Sequence, residues 1–208
     1  FILSSSIYYQ EADNIMRFFS KEPIDIEGQD TPAFIRTLSN IASEERFGFE
    51  FNLTYSPSRK WRINTDFNLF NSVIEGDYEG TNFDSENLSW TARLSNKITL
   101  PASIDWQTNI SYRGASIDAQ NTRDGVFSTN VAFSKDLFKE KASIAFNVND
   151  VFNSGKYSGT VETDTFISDR EIRFRGVRSY NLSFTYRFNQ KKKVERGGRP
   201  RGGGDDGV

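Results

Sequence analysis

Phe47-Gly-Phe-Glu-Phe-Asn-Leu-Thr-Tyr55 places a ring or an aliphatic side chain at every second position, with Gly48, Glu50, Asn52 and Thr54 between them. Successive side chains of a strand point to opposite faces, so a period of two held over this length predicts a strand with one apolar and one polar side. The pattern resumes after Ser56-Pro-Ser-Arg-Lys60 as Trp61, Ile63, Thr65, Phe67 and Leu69, interleaved with Arg62, Asn64, Asp66 and Asn68. It returns in Leu88–Leu100, Ile104–Tyr112, Phe127–Phe133, Ala142–Val148 and Tyr180–Phe188, with a less regular copy in Phe1–Tyr9. About eight strands are predicted, and helical spacing fits none of them.

The connections sort by length. Ser56–Lys60, Pro101–Ser103 and Lys139–Lys141 are short, whereas about 11–45, 74–86, 115–125 and 154–178 are long and polar. Aromatic residues flank both sets. Phe47, Trp90, Tyr112, Phe127 and Tyr180 sit at the long-loop end, and Tyr55, Trp61, Trp106, Phe138, Tyr186 and Phe188 at the other. Two belts of rings around an aliphatic band are what the two interfaces of a bilayer select. The expected fold is all-β, a transmembrane antiparallel β-barrel or a segment of one. A soluble sandwich also alternates, but its links have no reason to sort by length. By barrel convention the short turns and the C-terminus face the periplasm, and the long loops face outward. Arg62, Asp66, Arg93, Lys97, Gln107 and Arg113 then belong to the lumenal face, together with Asp105, Asn130, Asn147 and Asn149.

Composition narrows function by exclusion. Among 208 residues there are 19 Phe, 8 Tyr and 3 Trp but no His and no Cys, which removes disulfides, Cys nucleophiles, Ser-His-Asp triads and Cys/His zinc sites. With 26 basic and 28 acidic residues the net charge is −2, no field to gather nucleic acid. No apolar run approaches the roughly 20 residues of a spanning helix. The negative mean hydropathy is expected of a membrane barrel as much as of a soluble protein, since each lipid-facing residue alternates with a polar one. No catalytic residue, metal site or cofactor is expected.

Several features resemble a known family. They are Gly48 and Glu50 in Arg46-Phe-Gly-Phe-Glu-Phe-Asn-Leu53, Tyr55-Ser-Pro57, Leu100-Pro101, Ser111-Tyr-Arg113, Ser134-Lys135, Asp150-Val-Phe-Asn153 and Leu182-Ser-Phe-Thr-Tyr-Arg-Phe188. In this order, from Asn40 to Phe188, they resemble the C-terminal part of the β-barrel in TonB-dependent outer-membrane receptors, in particular the outer membrane protein beta-barrel branch common in Bacteroidetes. The resemblance implies an energised uptake receptor with a barrel of about 22 strands and an N-terminal plug coupled to TonB. Neither plug nor TonB-binding segment is found here, so the expectation is the C-terminal piece of a larger receptor; a complete eight-stranded barrel is the rival. Other rivals are a structural or adhesive outer-membrane barrel without TonB coupling, and a soluble β-sandwich binding module. The stretch Ala119–Gly125 departs from the family, which often has Gly directly after the Gln at this place, and the departure bears on ligand contacts more than on fold.

The expected partners are outer-membrane lipid, a ligand at the outer loops and the TonB system. Loop aromatics Phe34, Tyr78, Phe83, Tyr157 and Phe166 are the ligand-contact candidates, with packing of the loops into strand pairs above the membrane as the competing reading. The five carboxylates between Glu75 and Glu86 suit Ca²⁺ by type, but their spacing does not follow the EF-hand order and a solvated acidic loop explains them. Nothing fixes two of them at a glycosidase separation. The Asn-x-Ser/Thr triplets at Asn52, Asn87, Asn109 and Asn181 are by-products of strand alternation. Residues 190–208 read as a disordered Gly/Arg-rich tail, with Lys191–Lys193 suited to anionic lipid headgroups rather than RNA.

Overall fold

The computed structural model describes residues 1–118, 120–163, 165–173 and 178–188; the expected tail lies outside them. Its strands are β1 (Ile2–Ser20), β2 (Arg36–Ser58), β3 (Trp61–Glu75), β4 (Asp77–Tyr78), β5 (Thr81–Asn82), β6 (Ser85–Leu100) and β7 (Ile104–Arg113). They continue as β8 (Ser116–Asp118), β9 (Asn121–Arg123), β10 (Val126–Leu137), β11 (Ala142–Asn149), β12 (Lys156–Glu162), β13 (Ile167–Arg173) and β14 (Ser179–Tyr186). The eight long strands form one antiparallel sheet in the order β1-β2-β3-β6-β7-β10-β11-β14. Each strand pairs with the previous long one, as a meander of hairpins must.

Register shows why the alternation matters. Residues directly opposite each other share a face. One rung runs Arg62, Lys97, Gln107, Ala132, Asn147, Asn181; the next, on the other face, runs Trp61, Ile98, Trp106, Phe133, Phe146, Leu182. Asp66 pairs with Arg93, and Arg113 with Thr91, on the same side as Arg62. All six expected lumenal residues therefore lie on one polar face.

The other face is apolar and uncovered. Phe49, Trp90, Phe133, Phe146, Leu182 and Phe184 are all exposed, and among the described residues no large side chain is fully buried. A sandwich would cover this face with a second sheet; among the described residues nothing does. Polar intrusions are managed at the short-turn end, where Asn96 accepts a hydrogen bond from Trp61 Nε1 at 2.7 Å. Lys135, opposite Ile104 and Ile144, has a stem long enough to reach the interface.

The short links are tight. Pro101–Ser103 is a single 3-10 turn with positive φ at Ala102, and Phe138, Lys139 and Glu140 are left-handed between β10 and β11. The sheet itself is open: among the described residues β1 pairs only with β2, and β14 only with β11.

The long connections differ from the sequence expectation. The 11–45 stretch is largely strand, because β1 and β2 run on as one hairpin of 19 and 23 residues. From Phe47 to Arg36 that hairpin reaches about 35 Å past the upper aromatic belt, at roughly 3.3 Å per residue. Likewise β8–β9 lie inside 115–125 and β12–β13 inside 154–178, and these four form a second sheet in the order β13-β12-β9-β8. Strands of three residues have too few positions to show a period.

Candidate functional site

The long-loop end is an assembled cap. Its first element is the projecting β1–β2 hairpin. Phe19, at the end of β1, meets Tyr78 and Phe83 edge-on at 5.6 and 5.7 Å, and these rings close over Ala42 and Ile74. Phe83 is 5% exposed, so it supports the hairpin rather than offering a surface to a ligand. Tyr78 is partly buried in the same cluster and its hydroxyl lies 3.5 Å from Ser39 Oγ. In the connection that carries them, Asp84 accepts from the Gly76 N–H and Asn82 Nδ2, and among the described residues no acidic cluster is placed to hold a metal.

Gln120 ties this hairpin to the second sheet. The Ser20 N–H donates to its Oε1 at 3.0 Å, its Nε2 donates to the Ser20 carbonyl at 3.3 Å, and its own carbonyl accepts from the Glu162 N–H. The side chain is 6% exposed, so both ends of a buried amide are used. A further contact, Thr165 Oγ1 donating to Glu22, and the edge-on pair Phe34–Phe166 at 4.9 Å join the tips of the two long connections. Phe34 remains 61% exposed.

Below β14's upper end, Asp150 organises the root of β12. Its carboxylate accepts from the N–H groups of Ser154 and Gly155, each at 2.9 Å, while its own N–H donates to Asn130 Oδ1. This is what the Asp150-Val-Phe-Asn153 stretch does physically: a turn held by the Asp150 carboxylate fixes where the fourth connection leaves the sheet.

Between the second sheet and the hairpin lies a cavity of about 380 Å³. Its charged lining is Arg36, Arg113, Arg123 and Arg170, with Tyr157 and Ile172 as an apolar wall. Arg123 and Arg170 register on either side of Gly159. A Cβ on Gly159 would stand 2.2 Å from the Thr122 carbonyl oxygen, so only glycine lets β9 and β12 approach this closely. The same missing side chain leaves the floor between the two arginines clear. Arg36 stacks over Phe18 at 4.2 Å, and Arg113 over Tyr157 at 5.8 Å. Burial, and then the positive charges of Arg170 and Arg123, push the pKa of Arg36 down, partly offset by Asp118.

A neighbouring cavity of about 360 Å³ shares Arg36, Asn121 and Arg123 and reaches down to Glu44, Arg46 and Ser72 on the polar face of the main sheet. Here two of the four lining arginines are paired with an acid. Glu44 takes Arg46 at 2.6 Å, Arg17 at 3.2 Å and the Ser72 hydroxyl at 2.5 Å. Burial alone would raise its pKa, but the hydrogen bonds from Ser72 and Arg46 and the charges of Arg46 and Arg17 hold the carboxyl below the ordinary range. Asp118 accepts from both Asn121 N–H and Asn121 Nδ2.

The profile of the Outer membrane protein beta-barrel family matches residues 1–186. The chain belongs to the Outer membrane protein beta-barrel family. Comparison with curated proteins and with solved structures gave no match. Membership explains the uncovered apolar face, which in an outer-membrane barrel meets lipid; Arg62, Asp66, Arg93, Lys97, Gln107 and Arg113 share the opposite, polar face.

Of the loop aromatics singled out from sequence, Tyr157 alone lines the arginine cavity, and the structure sets it against Arg113 from the interior list. Arg36, Arg123 and Arg170 escaped sequence reading. Their neighbours form no motif, and only the pairing of separate connections brings them together. Asn121 is the residue that stands where the family often has Gly, and it lines both cavities. Phe174, a further aromatic residue of the 154–178 connection, lies outside the described residues.

Proposed function

We propose that this barrel is part of a TonB-dependent receptor and takes part in ligand binding and uptake across the outer membrane. Its work is binding and transport rather than catalysis. The long-loop end faces outward, and β14 delivers the C-terminus to the periplasm. The observation that carries this reading is the cap: three connections are locked together by Gln120 and enclose adjoining cavities that lead onto the interior face. Such a cap positions a ligand over the lumen, which is where an uptake receptor needs it. TonB coupling follows the sequence resemblance.

A second reading, an adhesive barrel without TonB, draws support from the exposed Ile117 and Ile167 on the cap. Crosslinking in intact cells separates the two. The full-length gene product should crosslink to TonB, and protease added outside should cleave within 160–170. External cleavage without any TonB adduct would favour the adhesive barrel, and protection of the cap in intact cells would reverse the orientation.

A further inference from the structure

We propose that the cavity between β9, β12 and β13 and the β1–β2 hairpin binds a tetrahedral oxyanion, phosphate or sulfate, carried on an organic body. The proposal rests on the uptake reading and names the ligand chemistry. Four guanidinium groups, from Arg36, Arg113, Arg123 and Arg170, line one cavity, and no carboxylate shares that lining. No ion pair joins any of the four to an acid among the described residues. Elsewhere in the cap, basic side chains have acidic partners: Arg17 and Arg46 share Glu44, Lys21 holds Glu79, and Lys156 holds Glu171. Like charges gathered in a partly desolvated site repel, and the pKa of Arg36 is lowered first by burial and then by the charges of Arg170 and Arg123. An anion removes it.

Geometry selects the kind of anion. Arg123 and Arg170 stand two strands apart with glycine between, about 10 Å between their Cα atoms at the usual strand spacing. Guanidinium forks approaching from opposite sides suit an oxyanion that presents several oxygens, and Arg makes paired hydrogen bonds to such groups. The ring faces under Arg36 and Arg113 fix those guanidiniums while leaving their N–H edges available. A cavity of about 380 Å³ is too large for an inorganic anion alone, and Tyr157, Val161 and Ile172 give an organic body an apolar wall.

Calorimetric titration of the full-length protein in phosphatidylcholine vesicles tests this, with phenyl phosphate, phenyl sulfate and phenol as probes. Both anions should bind saturably and phenol should not. The double variant Arg123→Ala/Arg170→Ala should weaken phenyl phosphate at least about tenfold, a loss of one good charge-assisted contact or more. Arg123→Lys/Arg170→Lys should fall between. Heat-modifiable gel migration reports whether each variant is folded, and Arg36→Gln, which leaves the second sheet untouched, serves if the double variant is not. Adding lipid A to the vesicles identifies the source. Competition assigns the phosphate to a lipid headgroup and unchanged titration to a free ligand, and either outcome upholds the site. Equal binding of phenol, or a folded variant that binds phenyl phosphate like the wild type, overturns the proposal. Such a result leaves the uptake reading standing as long as the TonB crosslink persists.

Discussion

At the residue scale, two glycines do opposite things. A Cβ on Gly48 would fall 2.4 Å from Cζ of Tyr8, whose ring lies flat across the glycine and donates its hydroxyl to Asn68 Oδ1 at 3.0 Å. The obstruction is the free end of a side chain, so Gly48→Ala should swing Tyr8 aside and lose about 0.5–1.5 kcal/mol, the worth of one hydrogen bond. Gly159 meets backbone instead, and the Thr122 carbonyl cannot swing away. Gly159→Ala should cost about 1–3 kcal/mol by overpacking and part β9 from β12. Urea midpoints and limited proteolysis check both. Gly48→Ala should leave the wild-type cleavage pattern of the cap unchanged, whereas Gly159→Ala should add cleavage in β9 and β12 with the barrel intact. Glu44 gives the pH dependence. It lies three residues above Phe47, outside the membrane band, and its folded pKa is depressed. Its contribution is therefore present above the unfolded carboxyl value of about 4.3 and is lost as pH falls through the folded value. Glu44→Gln should lower stability by about 1–2 kcal/mol at neutral pH. The gap between wild type and variant should close on acidification, and a gap that stays constant below pH 4 (about the unfolded value) contradicts the assignment.

At the scale of elements, the spanning strands were readable because lipid on one side and water on the other impose a period of two. Leu94 illustrates the constraint: it stands on the apolar face opposite Thr65 and Ile110, well between the two aromatic belts. Leu94→Arg should cost about 2–4 kcal/mol of barrel stability, the penalty of a cation near the bilayer midplane, while Ser95→Arg on the interior face should cost far less. Unfolding in lipid vesicles measures both, and similar penalties at the two positions would argue against a lipid-facing Leu94. The cap was much less legible. Above Phe47 the hairpin has no lipid on one side and packs only in local patches such as Phe19 and Ala42, so nothing forces Glu11–Ser20 or Arg36–Glu45 to alternate, and the sequence looks like loop. In β8 and β9 the strands are three residues long. The site residues come from contacts between connections far apart in the chain: Ser20 and Gln120 are separated by 100 positions. Tyr157 was found because an aromatic residue in a polar loop stands out. Arg36, Arg123 and Arg170 were not, because an arginine in a polar loop is ordinary until three others face it.

At the scale of the molecule, one sheet carries two solvents. Its polar face presents Arg62, Lys97 and Gln107 on a single rung, its apolar face presents Trp61, Ile98, Trp106 and Phe133 on the next, and the cap sits over the end where the long connections emerge. Unpaired strand edges are costly in lipid, so β1 and β14 need partners there to complete a wall. The central claim, that the apolar face meets lipid and the polar face water, is tested most directly by single-Cys labelling along β6 in outer membranes, which the absence of native Cys makes clean. Cysteines at 88, 90, 92, 94 and 98 should react with a lipid-soluble maleimide and resist a charged one, and those at 91, 93, 95 and 97 should do the reverse. A charged reagent that labels 90, 92 and 94 as readily as 91 and 93, or labels neither set because both are sealed in a protein core, would contradict the account.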